Sequence, residues 1–138
     1  MGYRSEVAIA IQEKDFEKLK AHPVVAGNGS AETIMELLLY ADKILKDDDV
    51  IIIHWDWIKW YKDFESVSMV MNFLDDCADG YAFVEIGEDG VTHTLYKESS
   101  DGRDFYDYIC ETHAVYISTC AVEVDKLAYL QIARLEEV

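Results

Sequence analysis

Cysteine is scarce and odd in number: Cys77, Cys110 and Cys120 are separated by 33 and 10 positions. That spacing fits neither a disulfide framework nor a zinc ribbon, and it points to a reduced compartment. Proline occurs once and glycine seven times, so the chain lacks the breaker-rich stretches that mark linkers, and its composition is not that of a disordered chain. No apolar run approaches the roughly 18 residues of a membrane span. The opening Met1-Gly2-Tyr3-Arg4-Ser5-Glu6 has no apolar block of the signal-peptide kind, and Glu6 stands where myristoylation would want Ser or Thr. A cytoplasmic protein without lipid anchor is the expectation. Positive charge is the other shortage: 12 Lys and Arg face 28 Asp and Glu, for a net charge of −16. Such a field repels phosphate backbones and anionic bilayers, so direct contact with nucleic acid or membrane is disfavoured and a basic partner is favoured.

What is present suits a folded core. The 138 residues are 51% hydrophobic, a length and composition for a single domain over residues 1–138. The charge is uneven: residues 1–46 carry a net −1, residues 47–90 a net −10 and residues 91–138 a net −5. No linker or repeat separates these stretches, so the asymmetry reads as one acidic face of one domain. The net charge also exceeds the magnitude of about 2–8 that solubility asks of a small domain.

Periodicity predicts the elements. Tyr3 to Ile11 alternates as a half-buried strand. Residues 13–21 place Phe16 and Leu19 on a short amphipathic helix that Pro23 helps to end, and Gly27-Asn28-Gly29 forms a loop. Ser30 is positioned to cap a helix whose face carries Ile34, Leu37, Leu38 and Ala41; the stretch after Leu39 reads equally as a strand. Asp47-Asp48-Asp49 is a turn tip, Val50 to Tyr61 a strand, and Ser66 to Cys77 a helix with Val67, Val70, Met71 and Leu74 inward, closed by Gly80. Tyr81 to Ile86 and Val91 to Lys97 flank Gly87-Glu88-Asp89-Gly90 as a hairpin. Ala114 to Val124 reads as a further strand, and Leu127 to Leu135 as strand or helix. The order predicts an α+β fold, a mainly antiparallel sheet with two to three helices packed on one face.

The chemistry-bearing residues are few. All tryptophans fall in His54-Trp55-Asp56-Trp57-Ile58-Lys59-Trp60-Tyr61. On a strand, Trp55 and Trp57 share a face with Ile51 and Ile53, while His54, Asp56 and Trp60 share the other. These aromatics serve either the core or a protein contact, since Trp and Tyr dominate interface hot spots. His54 and Asp56 are two apart but lack a third metal ligand at any local spacing, and Cys110-Glu111-Thr112-His113 supplies only a distant second pair. No nucleophile elbow or phosphate-cradling loop is present, and Asp47-Asp48-Asp49 lacks the spacing of a calcium loop. Neither a catalytic residue nor a metal or cofactor is therefore assigned. Carboxylates on a rigid surface can instead imitate the phosphates of a nucleic acid.

Three blocks, Met1-Gly2-Tyr3-Arg4-Ser5-Glu6-Val7, Trp55-Asp56-Trp57-Ile58-Lys59-Trp60-Tyr61 and Tyr81-Ala82-Phe83-Val84-Glu85-Ile86-Gly87-Glu88, together resemble a family of small acidic proteins of bacteriophages and prophages. The resemblance spans residues 1–88 and implies a phage origin, with action in the cytoplasm of a bacterial host. By analogy of class, it implies an inhibitor of host nucleic-acid-binding machinery such as a restriction or CRISPR effector. The expectation is thus a non-enzymatic counter-defence or host-takeover protein whose partner is a basic bacterial nucleic-acid-binding protein. Its contact residues would be Asp47, Asp48, Asp49, Trp55, Asp56, Trp57, Trp60, Tyr61, Asp75, Asp76, Glu88 and Asp89. Self-association is compatible with this reading. The alternatives are a small-ligand binding protein with His54 and Asp56 as the polar groups of an aromatic pocket, and a phage structural or assembly component.

Overall fold

The computed structural model describes residues 4–20, 34–61, 64–111, 115–117 and 122–130. The expected Ser30 cap, the Gly27-Asn28-Gly29 loop, and residues 131–135 lie outside that set. The described chain runs β1 (Ser5–Gln12), α1 (Glu13–Lys20), α2 (Ile34–Leu39), β2 (Lys43–Asp47), β3 (Val50–Ile58), α3 (Glu65–Asp76), β4 (Tyr81–Gly87) and β5 (Thr92–Lys97). After a 3₁₀ turn at Tyr106–Tyr108 come β6 (Ile109–Glu111), β7 (Val115–Ile117), β8 (Val122–Glu123) and α4 (Lys126–Leu130). Six strands form one sheet in the order β5-β4-β1-β3-β2-β8, and every pairing in it is antiparallel. This is the α+β architecture expected. Among the described residues no helix is long and apolar enough to cross a membrane.

The strand β1 sits between β3 and β4, and its sequence suits a strand covered on both faces. Val7, Ile9 and Ile11 point to the helices, while Ala8 and Ala10 point to the other side, and all five are fully buried. The run Val50-Ile51-Ile52-Ile53 in β3 is buried on both faces for the same reason. Against the helical face pack Phe16 and Leu19 of α1, Leu37 and Leu38 of α2, Val67, Val70 and Leu74 of α3, and Leu130 of α4. The indole N–H of Trp55 donates to the Leu37 carbonyl at 3.0 Å, which ties β3 to α2. Lys126 of α4 donates to the carbonyls of Leu39 and Ala41 at 2.8 and 2.7 Å, satisfying groups that the end of α2 leaves open.

The opposite face is covered as well. Phe105 and Ile109 are fully buried there against Ala8, Ala10, Val50, Ile52, Ala82 and Val84, with Tyr106 and Tyr108 at the margin. The small alanines leave room for this second layer, formed by the 3₁₀ turn and the β6–β7 ladder. Two expectations change accordingly. The strand expected over Ala114 to Val124 is divided: β7 pairs with β6 in a two-stranded sheet, whereas β8 pairs with β2 at the edge of the large one. The strand expected to reach Tyr61 ends at Ile58. Trp60 therefore does not share a face with His54; it turns back to the helical side, where its ring lies 5.0 Å from Trp55 and 6.0 Å from Phe83.

Candidate functional site

The antiparallel order gives the sheet two chemically distinct ends. At the Gln12 end lie the β2–β3 turn, the start of α1, the end of α3, the start of β4 and the segment after β5. At the Arg4 end lie the end of β3, the start of β2 and the β4–β5 turn. With about 3.3 Å per strand residue, the length of β1 holds these ends roughly 25 Å apart.

The Gln12 end gathers acids from four separate parts of the chain: Asp47, Asp48 and Asp49; Asp75, Asp76 and Asp79; Asp101 and Asp104; and Glu13. Its cations already have internal partners. Arg103 contacts Asp49 at 2.7 Å, Lys14 contacts Asp79 at 3.2 Å and Lys46 contacts Glu13 at 3.1 Å. Lys97 donates to the carbonyls of Leu74 and Asp75 at the end of α3. Further hydrogen bonds fasten the loops together. Asp79 accepts from the Ser100 N–H at 2.7 Å, from the Ser100 hydroxyl at 3.1 Å and from Lys14. The buried Asp15 accepts the Asp79 N–H at 2.9 Å. Asp49 accepts the Glu13 N–H through its carbonyl at 2.7 Å. The backbone hydrogen bond from Ser100, with Lys14 beside it, holds the Asp79 carboxyl down at about 2. Asp101 is lowered mainly by the Ser99 hydroxyl, and Glu13 mainly by the Tyr129 hydroxyl, which donates at 2.7 Å.

The sequence-predicted contact set does not form one surface. Asp47, Asp48, Asp49, Asp75 and Asp76 meet at the Gln12 end, but Asp56, Glu88 and Asp89 lie at the Arg4 end. Glu88 accepts the Arg4 N–H there, and Asp89 accepts the Val91 N–H within the hairpin turn. The tryptophans separate too. Trp55 and Trp60 are 1% and 7% exposed and belong to the core, while Trp57 is 55% exposed at the Arg4 end. Tyr61 is half-buried against Phe64, at 5.1 Å between rings. The expected pairing of acidic steering with a Trp anchor on one patch is therefore corrected by topology: β3 starts at the acidic end and carries its exposed tryptophan to the other. Asp79, Asp101, Asp104, Glu13 and Arg103 are the residues of the acidic end that the contact set omitted. Asp79 was legible as an acid beside Gly80, but its union with Ser100 rests on a tertiary contact.

Two further features carry polar chemistry. A cleft of about 320 Å³ is lined by Trp60, Met71, Phe83, Glu85, His93, Thr94 and Leu95. His54 and Asp56, the polar groups expected for an aromatic pocket, are not in its lining. They belong instead to a cluster with Glu6 on the face away from the helices. No protein-family model, curated protein or solved structure matches the chain.

Proposed function

We propose that the protein is a non-enzymatic inhibitor that docks its acidic end on the basic, nucleic-acid-binding surface of a bacterial protein. The observation that carries this reading is the convergence of acids from residues 47–49, 75–79 and 101–104 on one end of the sheet, where the neighbouring cations are engaged internally. A surface of this kind offers an array of negative charge whose described loops are fastened to one another by hydrogen bonds and ion pairs, which favours electrostatic steering and lowers the cost of association. The resemblance to acidic phage proteins supports a host defence or takeover target, such as a restriction or CRISPR effector. The role assigned to Trp55 and Trp60 falls away with their burial.

The test keeps Asp49 and Asp79, which hold loops in place, and Asp75, whose carboxylate accepts the Tyr81 hydroxyl at 2.9 Å, and neutralises Asp47, Asp48 and Asp76 to Asn. Tagged wild type, incubated with nuclease-treated bacterial lysate and eluted with a salt gradient, is expected to retain a nucleic-acid-binding protein. The variant is expected to lose it at lower salt. Equal retention, or a captured partner that still binds its nucleic acid in the presence of the inhibitor, refutes the proposal.

A second reading, small-ligand binding, is favoured by the cleft, where Glu85 and His93 stand opposite each other in the β4–β5 ladder beside Trp60 and Phe83. An aromatic wall with a carboxylate suits an organic cation. Quenching of Trp60 by a panel of amines and nucleosides, absent in Glu85→Gln, would select it over the first.

A further inference from the structure

Glu6, His54 and Asp56 come from adjacent strands, and each offers a ligand atom within 4.8 Å of the others. The register of β1 against β3 shifts here: Ser5 pairs with Ile58 and Val7 with Trp55, so Glu6 stands opposite both Asp56 and Trp57. Such a bulge re-aims side chains, and it brings Asp56 up to the His54 ring. Glu6 Oε2 lies 2.8 Å from His54 Nε2; the carboxylate accepts a hydrogen bond from a proton carried on Nε2, and the neutral ring then keeps a lone pair on Nδ1. His54 is 7% exposed, and its Nδ1 is buried without a hydrogen-bond partner among the described residues. The nearest group is Asp56 Oδ1, at 3.3 Å. That contact is close but not aligned as a hydrogen bond, and in the neutral ring Nδ1 has no proton to share.

Two electron-pair donors facing each other across 3.3 Å call for an electrophile between them. Tetrahedral zinc, with bonds of about 2.0–2.2 Å to nitrogen and oxygen, separates its ligand atoms by about 3.3–3.5 Å, which is the spacing found. We propose that His54 Nδ1 and Asp56 Oδ1 bind a divalent d-block cation, and that Glu6 is the positioning residue that fixes the imidazole tautomer. This carboxylate–imidazole–metal relay is the usual support of a histidine ligand. The Asp56 side chain is 61% exposed, so the remaining coordination positions open to water. The Asp42 carboxylate accepts the Asp56 N–H at 2.6 Å and steadies the ligand strand. Lys43 stands opposite His54 in the β2–β3 ladder, and its charge opposes the cation and moderates affinity.

The experiment uses the full chain with Cys77→Ser, because Cys77 is an exposed thiol that would bind soft metals itself. Zn²⁺ is added by equilibrium dialysis, Co²⁺ by titration in absorbance, and the imidazole nitrogens are followed by ¹⁵N NMR. The expected result is one ion per chain, a Co²⁺ spectrum without thiolate charge-transfer bands, and a Zn²⁺-dependent shift of His54 Nδ1. Asp56→Asn, a surface change that spares the core, is expected to weaken binding about tenfold or more, and Glu6→Gln by roughly 10–100-fold with a changed tautomer signal. Lys43→Gln is expected to tighten it. Absence of a retained ion, retention unaltered by Asp56→Asn, or an ¹⁵N spectrum with a proton fixed on Nδ1 overturns the proposal. In the last case the cluster is an imidazolium held between two carboxylates.

Discussion

Substituting Gly80 by Ala tests how tightly the second layer is joined to the sheet. Gly80 stands between α3 and β4 at φ +88°, a region that disfavours any side chain. A Cβ built there would lie 2.6 Å from Cε2 of Phe105, 2.7 Å from the Ser99 nitrogen and 2.9 Å from the Ser99 Cα. The left-handed backbone costs alanine about 1–2 kcal/mol, and forcing atoms into a packed site about 1–3 kcal/mol more. Reduced freedom of the unfolded chain returns roughly 0.4–1 kcal/mol. The expected loss is about 2–4 kcal/mol, of which the crowding is the larger share because two of the three contacts are backbone and cannot rotate away. Gly90→Ala is the control. Gly90 has nearly the same backbone angle, φ +83°, but nothing lies within 4 Å of its Cβ position, so its loss should stay near 1 kcal/mol. Urea unfolding of both variants, with unchanged m-values, isolates the difference. Equal midpoint shifts would refute the packing of Phe105 and Ser99 against Gly80, and with it the anchoring of the 99–104 segment that carries part of the acidic end.

Two further outcomes are expected. Asp79, held at about 2 when folded, contributes stability that is fully present above the unfolded carboxylate value near 4 and is lost as pH falls from about 4 toward 2; Asp79→Asn should flatten this part of the urea-midpoint profile, and parallel profiles would contradict the assignment. Trp55→Ala removes a buried ring and its bond to Leu37 and should cost about 3–5 kcal/mol. By contrast, the exposed Trp57→Ala should cost under about 1 kcal/mol. Comparable losses in a denaturation assay would mean the two rings are not divided between core and solvent.

The helical face was legible because each of its elements carries its own period. Of the residues that the periodicity placed inward, Phe16, Leu19, Ile34, Leu37, Leu38, Ala41, Val67, Val70 and Leu74 are buried, and Met71 packs partly buried against them. The β4–β5 hairpin was legible for a similar local reason, the glycines of its turn. The second layer was not. The run from Glu98 to His113 shows little periodicity, and Phe105 and Ile109 find their place only against Ala8, Ala10 and Ala82, residues whose small size carries no directional signal in sequence. The site divided in the same way. The acids at 47–49, 75–76 and 88–89 were grouped by the net charge of the one segment 47–90; the antiparallel order keeps the first two sets at one end of the sheet and carries Glu88 and Asp89 to the other. Glu6 escaped notice because its partner His54 lies 48 positions away.

The place of β1 in the sheet bears on how the chain is made. Its neighbours are supplied by residues 50–58 and 81–87, so the nascent Val7-Ala8-Ile9-Ala10-Ile11 segment waits for the ladders that will cover it. At a synthesis rate of about 5–20 residues per second, the roughly 75 residues between the end of β1 and the end of β4 correspond to about 4–15 s. Until β3 is made, this apolar strand has both edges unpaired, and until β4 is made one edge stays open to chaperones and to other nascent chains.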